Sequence, residues 1–213
     1  LDGGTHTLDI NQRPITLSAS RVYDGTTGLS GDSLSTTFIY SNMVGTEVLS
    51  QSGSGSVASK DVSSNQAVTI GSLSLEDGSG SAGNYSLTSA TLSIGERPLS
   101  ISGSKIYDST TTALSSDFNT VENLVGNETI VLSNSAMVAD ANIGENKSIS
   151  NLGTLTIGDG NNGGLGANYT LIGGSHSLTI NRRPVTISGS REYNGTNSVS
   201  SGSISTFLSL IHI

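Results

Sequence analysis

The chain has 213 residues, half of them Ser (40), Thr (23), Asn (17) or Gly (27), with no Cys and no Trp. Nine Lys and Arg against 17 Asp and Glu give a net charge of −8 and a pI near 4.6. This excludes a helical bundle, because these small polar residues are poor helix formers, and with it a phosphate-neutralising nucleic-acid surface, disulfides or thiolate sites and, for want of a long apolar run, a helical membrane span in these residues.

Residues 1–12 read as the tail of a preceding repeat, since His6-Thr7-Leu8-Asp9-Ile10 matches His176-Ser177-Leu178-Thr179-Ile180. With no initiator Met, the chain is expected to be a fragment. Arg13-Pro14 opens a first full copy, residues 13–96. Arg97-Pro98 opens a second, residues 97–182, and Arg183-Pro184 a third that runs through residues 183–207. A period of 84 to 86 residues is too long for a solenoid turn, so each copy is expected to be a small module with its own core. Residues 208–213 depart from the pattern and are expected to be a non-native tail.

Within each copy, alternation follows the Arg-Pro pair: Ile15, Leu17 and Ala19 on one parity against Thr16, Ser18 and Ser20, then Leu99 and Ile101, then Val185 and Ile187. Period two predicts a half-buried strand, and Pro suits its first position. A tyrosine stands ten residues after each Arg, heading Tyr23-Asp24-Gly25-Thr26-Thr27, Tyr107-Asp108-Ser109-Thr110-Thr111 and Tyr193-Asn194-Gly195-Thr196. Asp24, Asp108 and Asn194 are expected to close Asx turns onto the following threonines. Gly25 and Gly195 would take positive φ; Ser109 either does not or is strained there. The tyrosine rings are expected to be buried, with their hydroxyls on the backbone. Further strands are predicted at Val68-Thr69-Ile70, Leu73-Ser74-Leu75 and around Leu152, Leu155 and Ile157. The loops Asp77–Gly83 and Gly158–Gly166 lead to Asn84-Tyr85 and Asn168-Tyr169, which are expected to anchor the opposite corner. Each copy closes on a second alternating strand, such as Leu92 and Ile94. The class is all-β, in tandem modules that are small Ig-like β-sandwiches or β-grasp-like sheets.

Together, Arg-Pro, strand, Tyr-Asp-Gly-Thr-Thr, Val57-Ala58-Ser59-Lys60-Asp61-Val62 and Asn84-Tyr85-Ser86-Leu87 resemble the YDG-type repeat of large bacterial exoproteins similar to filamentous haemagglutinins, which are exported by two-partner secretion. The likeness runs through both full copies and both partial ones. Departures are Ser109 for Gly, Asn194 for Asp, and Val138-Ala139-Asp140-Ala141-Asn142-Ile143 for the Val-Ala-Ser-Lys-Asp-Val stretch. The resemblance implies a secreted, outer-membrane-associated adhesin at the bacterial surface, its repeats serving as stalk or weak contact surface. It transfers no catalytic or ligand-binding residues.

No chemical constellation competes with that expectation. His6 and His176 share a position that is Ala90 in copy two, and one imidazole per module is no ligand set. Serine is everywhere, but no nucleophile elbow with a following helix accompanies it, so no enzyme is expected. Lys60 has Ala141 as its counterpart, which argues against a lysine–asparagine crosslink. No cofactor is implied beyond calcium in the loops between modules, where Gly163-Gly164-Leu165-Gly166-Ala167-Asn168 approaches a calcium-binding nonapeptide. The expected partners are neighbouring repeats and host-cell or matrix glycans or proteins. For these, Phe38 and Tyr40, on one face outside the repeat motifs, are the candidate contacts.

Overall fold

The computed structural model describes residues 3–33 and 35–198, and the backbone of residues 206–208. Among them, regular structure is β apart from three single turns of 3-10 helix. The chain divides into two compact units. The first comprises Leu1–Leu99, Asn123–Val131 and Ile157–Gly173; the second comprises Ser100–Glu122, Leu132–Thr156 and Gly174–Ile213.

The first repeat supplies β1 (Arg13–Val22), β2 (Gly28–Ser30), β3 (Thr37–Ser41), β4 (Ser50–Ser52), β5 (Ser54–Ser56), β6 (Ser63–Ala67), β7 (Ser74–Glu76) and β8 (Tyr85–Gly95). A four-stranded sheet runs in the order β3-β1-β8-β6. Its central pair, β1 and β8, is parallel, and both outer strands are antiparallel to their neighbours. A parallel central pair formed by the first and last long strands is the β-grasp-like order, here without an α-helix. Two short antiparallel pairs, β2-β5 and β4-β7, complete the repeat. On β1, Ile15, Leu17 and Ala19 are buried while Thr16, Ser18 and Ser20 are exposed, as the alternation requires. Ile15 packs with Leu49 and Tyr85, and Leu17 with Leu73 and Ala90. The β1–β8 register slips once, between Ile15 and Thr16, and the Thr88 hydroxyl donates to the Ile15 carbonyl at 2.9 Å there.

The second repeat supplies β9 (Arg97–Pro98), β10 (Ser100–Ile106), β11 (Thr112–Leu114), β12 (Phe118–Glu122), β13 (Ile130–Ser133), β14 (Ser135–Val138), β15 (Gly144–Asn151), β16 (Thr156–Asp159), β17 (Tyr169–Thr170) and β18 (His176–Asn181). Its sheet order is β11-β14-β15-β18-β10-β12, with β10 and β18 parallel. Ile101, Ala113, Phe118, Ala136, Val138, Leu178 and Ile180 are the buried apolar residues on the strands of this sheet. The counterpart of β8 is broken here into β17 and β18. Tyr85 and Ile94 are nine residues apart where Tyr169 and Ile180 are eleven, so two extra residues bulge around Gly173, whose φ is +85°. That insertion is the difference between the 84- and 86-residue spacings. It leaves β17 paired with β9 in the first unit and β18 in the second.

Of the third repeat, β19 (Thr186–Ser188) pairs antiparallel with β20 (Thr206–Leu208). The expected non-native tail, apart from the backbone of Leu208, lies outside the described residues. Two strand assignments shift. Val68-Thr69-Ile70 carries only an isolated bridge from Thr69 to Ser56, whereas Ser63–Ala67 is a full strand despite having no apolar alternation. Pairing with the edge of β8, not side-chain burial, makes it one.

Leu92 is fully buried and Ile39 is 64% exposed. Leu92→Ala is expected to lower unfolding free energy by about 2–5 kcal/mol and Ile39→Ala by less than about 0.5 kcal/mol, as read from urea unfolding midpoints.

Candidate functional site

The Tyr-Asp-Gly stretch folds as an Asx turn in all three copies. Asp24 Oδ1 accepts from the Thr26 amide at 3.0 Å and hydroxyl at 2.9 Å, and Asp108 Oδ1 from those of Thr110 at 2.9 Å each. Asn194 Oδ1 does the same with Thr196 at 3.2 and 3.0 Å. Gly25 and Gly195 sit at φ +77°, and Ser109 at +66° carries the strain that a side chain suffers there. A cation two residues before each tyrosine staples the turn. Arg21 reaches Asp24 at 3.2 Å and the Thr26 carbonyl at 2.6 Å. Lys105 reaches Asp108 at 2.9 Å and the Thr112 carbonyl at 2.6 Å. Arg191 bonds Asn194 and the Thr196 carbonyl. Burial pushes the Asp108 carboxyl up, but the bonds from Lys105 and from the Thr110 amide and hydroxyl outweigh it and hold the group below its ordinary value.

The first two Arg-Pro pairs are each held by an asparagine in left-handed conformation. Arg13 Nε and Nη2 donate to the backbone and side-chain oxygens of Asn42, both at 2.7 Å, while Asn42 Nδ2 donates to the Pro14 carbonyl at 2.8 Å. Arg97, Asn123 and Pro98 repeat this at 2.7, 2.6 and 2.6 Å. φ is +65° at Asn42 and +73° at Asn123, a conformation Asn tolerates.

Within the first unit these devices converge on Glu128, which is 8% exposed. Its Oε1 accepts from the Tyr23 hydroxyl and from Lys60 Nζ, both at 2.8 Å, and its Oε2 from the Tyr169 hydroxyl at 2.6 Å. Tyr23 and Lys60 come from the first repeat, Glu128 and Tyr169 from the second. The two tyrosine rings meet edge to face with centroids 5.5 Å apart, and Lys60 Nζ lies 5.7 Å from the Tyr23 ring centre. Asn168, 1% exposed, donates to Asp61 Oδ1 and accepts from the Val62 amide, both at 2.9 Å. Arg97 donates to the Tyr23 carbonyl at 3.3 Å. Gly25 is required twice, for its φ and because a Cβ there would stand 2.6 Å from Val125 Cγ1.

Burial pushes the Glu128 carboxyl up, but the bonds from Lys60, Tyr169 and Tyr23 outweigh it and hold the group below its ordinary 4.5. The bond to Glu128 keeps Lys60 above the usual lysine range. Burial, with Glu128 beside it, moves the Tyr169 phenol up to about 12 and raises Tyr23 as well. The bond from Asn168 lowers Asp61. All charges in the cluster are therefore fixed near neutral pH, and none is poised to exchange a proton.

Several expectations need correction. The Tyr23 hydroxyl bonds a carboxylate instead of the backbone. Tyr85 and Tyr169 bond both, accepting from the amides of Val44 and Val125 at 3.3 and 3.1 Å. Tyr107 is half-buried, and Tyr193 is 95% exposed because the described part of its repeat offers two short strands and no core. Phe38 and Tyr40 do share a face, but it is the inner one, packed toward Leu17, Leu73 and Ala90. Exposed Ile39 marks the other side of the strand, and the Tyr40 hydroxyl donates to Gln51, with burial lifting its pKa to about 12. Both rings are half-buried against that core. In the loop that carries the calcium-like nonapeptide, Asp159 accepts from the Gly166 amide at 2.8 Å and holds the 3-10 turn Gly166–Asn168, as Asp77 accepts from the Ala82 amide at 2.7 Å and holds the turn Ala82–Asn84 in the first repeat. Among the described residues, no group of three or more His, Asp or Glu could hold a metal ion.

Sequence reasoning passed over Glu128, its counterpart Glu47 and the two fork asparagines. Their signal was present: Asn42-Met43-Val44-Gly45-Thr46-Glu47 matches Asn123-Leu124-Val125-Gly126-Asn127-Glu128, but at an offset of 81 residues. Compared with known proteins, residues 7–92 and 96–180 each match the YDG domain family. No curated protein and no solved structure matches the chain.

Because Glu128 is more acidic when folded than unfolded, its contribution is complete above about pH 4.5 and is lost as pH falls through its folded value. Urea midpoints from pH 6 to 2 are expected to fall more shallowly for Glu128→Gln than for the parent. Identical slopes would show that Glu128 carries no such dependence.

Proposed function

We propose, from the premise that the chain belongs to the YDG domain family, that its two tandem domains are a non-enzymatic spacer segment of a secreted adhesin on a bacterial surface. One observation carries this reading: the buried Glu128 carboxylate takes donors from two consecutive repeats, so that the joint is specified as closely as a domain core. A chain whose work is to hold distance needs such joints; a flexible string of independent binders does not. The distribution of polar groups supports the same reading. Asp24, Asp108, Arg97, Asn123, Glu128 and Asn168 are each satisfied by another protein group, and none pairs a nucleophile with a base. Export of an unfolded chain to an oxidising exterior also suits a sequence without cysteine.

Small-angle scattering of the 213-residue chain is expected to give a narrow distribution of long distances that broadens in Glu128→Ala. An equally broad distribution for both proteins would contradict a spacer built on this joint. Saturable binding of the parent to host cells, matrix proteins or a glycan panel would instead make these domains the contacting part.

A further inference from the structure

The first repeat carries its own version of the Glu128 half-site, and nothing among the described residues covers it. Glu47 stands where Glu128 does, bonded to the Tyr85 hydroxyl as Glu128 is to that of Tyr169. Val44 corresponds to Val125, its amide on the Tyr85 hydroxyl at 3.3 Å. The exposures differ. Glu128 and Asn168 are buried, but Glu47 is half-buried, Asn84 is exposed and Val44 is 49% exposed. A carboxylate, an asparagine and an apolar side chain are thus arranged as at the occupied joint, without the tyrosine, lysine and Lys-Asp-Val backbone that complete it.

The departures in the second repeat fall on the complementary face. At the occupied joint the first-repeat side consists of Tyr23 and Lys60, which donate to Glu128, Asp61, which accepts from Asn168, and Gly25, which faces Val125. Their counterparts, in the same order, are Tyr107, Ala141, Asn142 and Ser109. Tyrosine is kept, while the residue that must lack a Cβ, the cation and the anion are all replaced. The cation has moved: Lys147, where the first repeat has Gln66, turns inward and donates to the carbonyls of Asp140 and Asn142 at 3.0 and 2.8 Å. It closes its own turn instead of reaching toward a neighbour.

We propose that the Glu47–Asn84–Val44 face is a docking surface for another YDG repeat joined ahead of residue 13, and that it selects one carrying Tyr, Gly and Lys-Asp at the positions of Tyr23, Gly25, Lys60 and Asp61. The repeat type of residues 97–182 is the wrong occupant. It brings no cation to the Glu47 carboxylate, and its serine side chain projects where the valine must pack. Joints along such a protein are then written in four residues of the preceding repeat. This rests on the joint at Glu128 being a true coupling element, as the proposed function requires.

The test duplicates residues 13–96 between Gln12 and Arg13 in the full chain, and in a second protein inserts residues 97–182 at the same point. Glu47→Gln, in the repeat that follows the insert, is made in both and in the parent, and Glu128→Gln in the parent reports on the existing joint. With residues 13–96 ahead, Glu47→Gln is expected to lower the melting temperature by about 3 °C or more beyond its effect in the parent. With residues 97–182 ahead, the effect should equal that in the parent. Equal effects in all three, with Glu128→Gln still destabilising, would overturn the docking surface alone. Equal enhancement by both inserts would overturn the selectivity. No effect of Glu128→Gln would overturn the coupling on which both readings stand.

Discussion

A carboxylate removed from water must be surrounded by donors, and Glu128 meets that requirement only with both repeats in place. Effective desolvation of such a group costs several kcal/mol, whereas a hydrogen bond to a charged partner returns about 1.5–3 kcal/mol. Tyr169 alone, from its own repeat, is too little; Tyr23 and Lys60 of the preceding repeat supply the rest. A buried ion pair of this kind is a poor source of net stability compared with apolar packing, but it is a strong source of register, since any other docking leaves the charge unpaired. Asn168 adds a second fixed point by bonding both Asp61 and the Val62 amide.

The same economy runs through the rest of the molecule. A chain that is half Ser, Thr, Asn and Gly cannot fill a large core, and each repeat buries few large apolar residues. Side chains that bond backbone take over at the corners. Asx turns are stapled by Arg21, Lys105 and Arg191, Arg-Pro starts are clamped by left-handed Asn42 and Asn123, and 3-10 turns are held by Asp77 and Asp159. Each device fixes the direction in which a strand leaves its turn.

Much of this was legible in the sequence because it is local. Alternation gave β1 and the inward residues Ile15, Leu17 and Ala19, and Asp-Gly-Thr gave the turn, since both depend on neighbours a few residues away. What depends on distant partners was not legible. The Glu47 and Glu128 stretches hide at an offset of 81 residues because the segment from Tyr107 to Asn123 is three residues shorter than its counterpart, Tyr23 to Asn42, and the loss is made up later. Strand β6 has no apolar pattern to announce it. For Phe38 and Tyr40, alternation shows that they share a face but not which face is inward. The replacements Ser109, Ala141 and Asn142 look like scattered drift along the chain, and only the joint shows that they belong to one surface.

The central claim is that Tyr23 and Glu128 act on one another across consecutive repeats. A double-mutant cycle with Tyr23→Phe and Glu128→Gln, read by urea unfolding at neutral pH, tests it most directly. The account predicts a coupling of about 1–2 kcal/mol, since each single change removes the same charged hydrogen bond. Additive effects, with no coupling beyond experimental error, would contradict it.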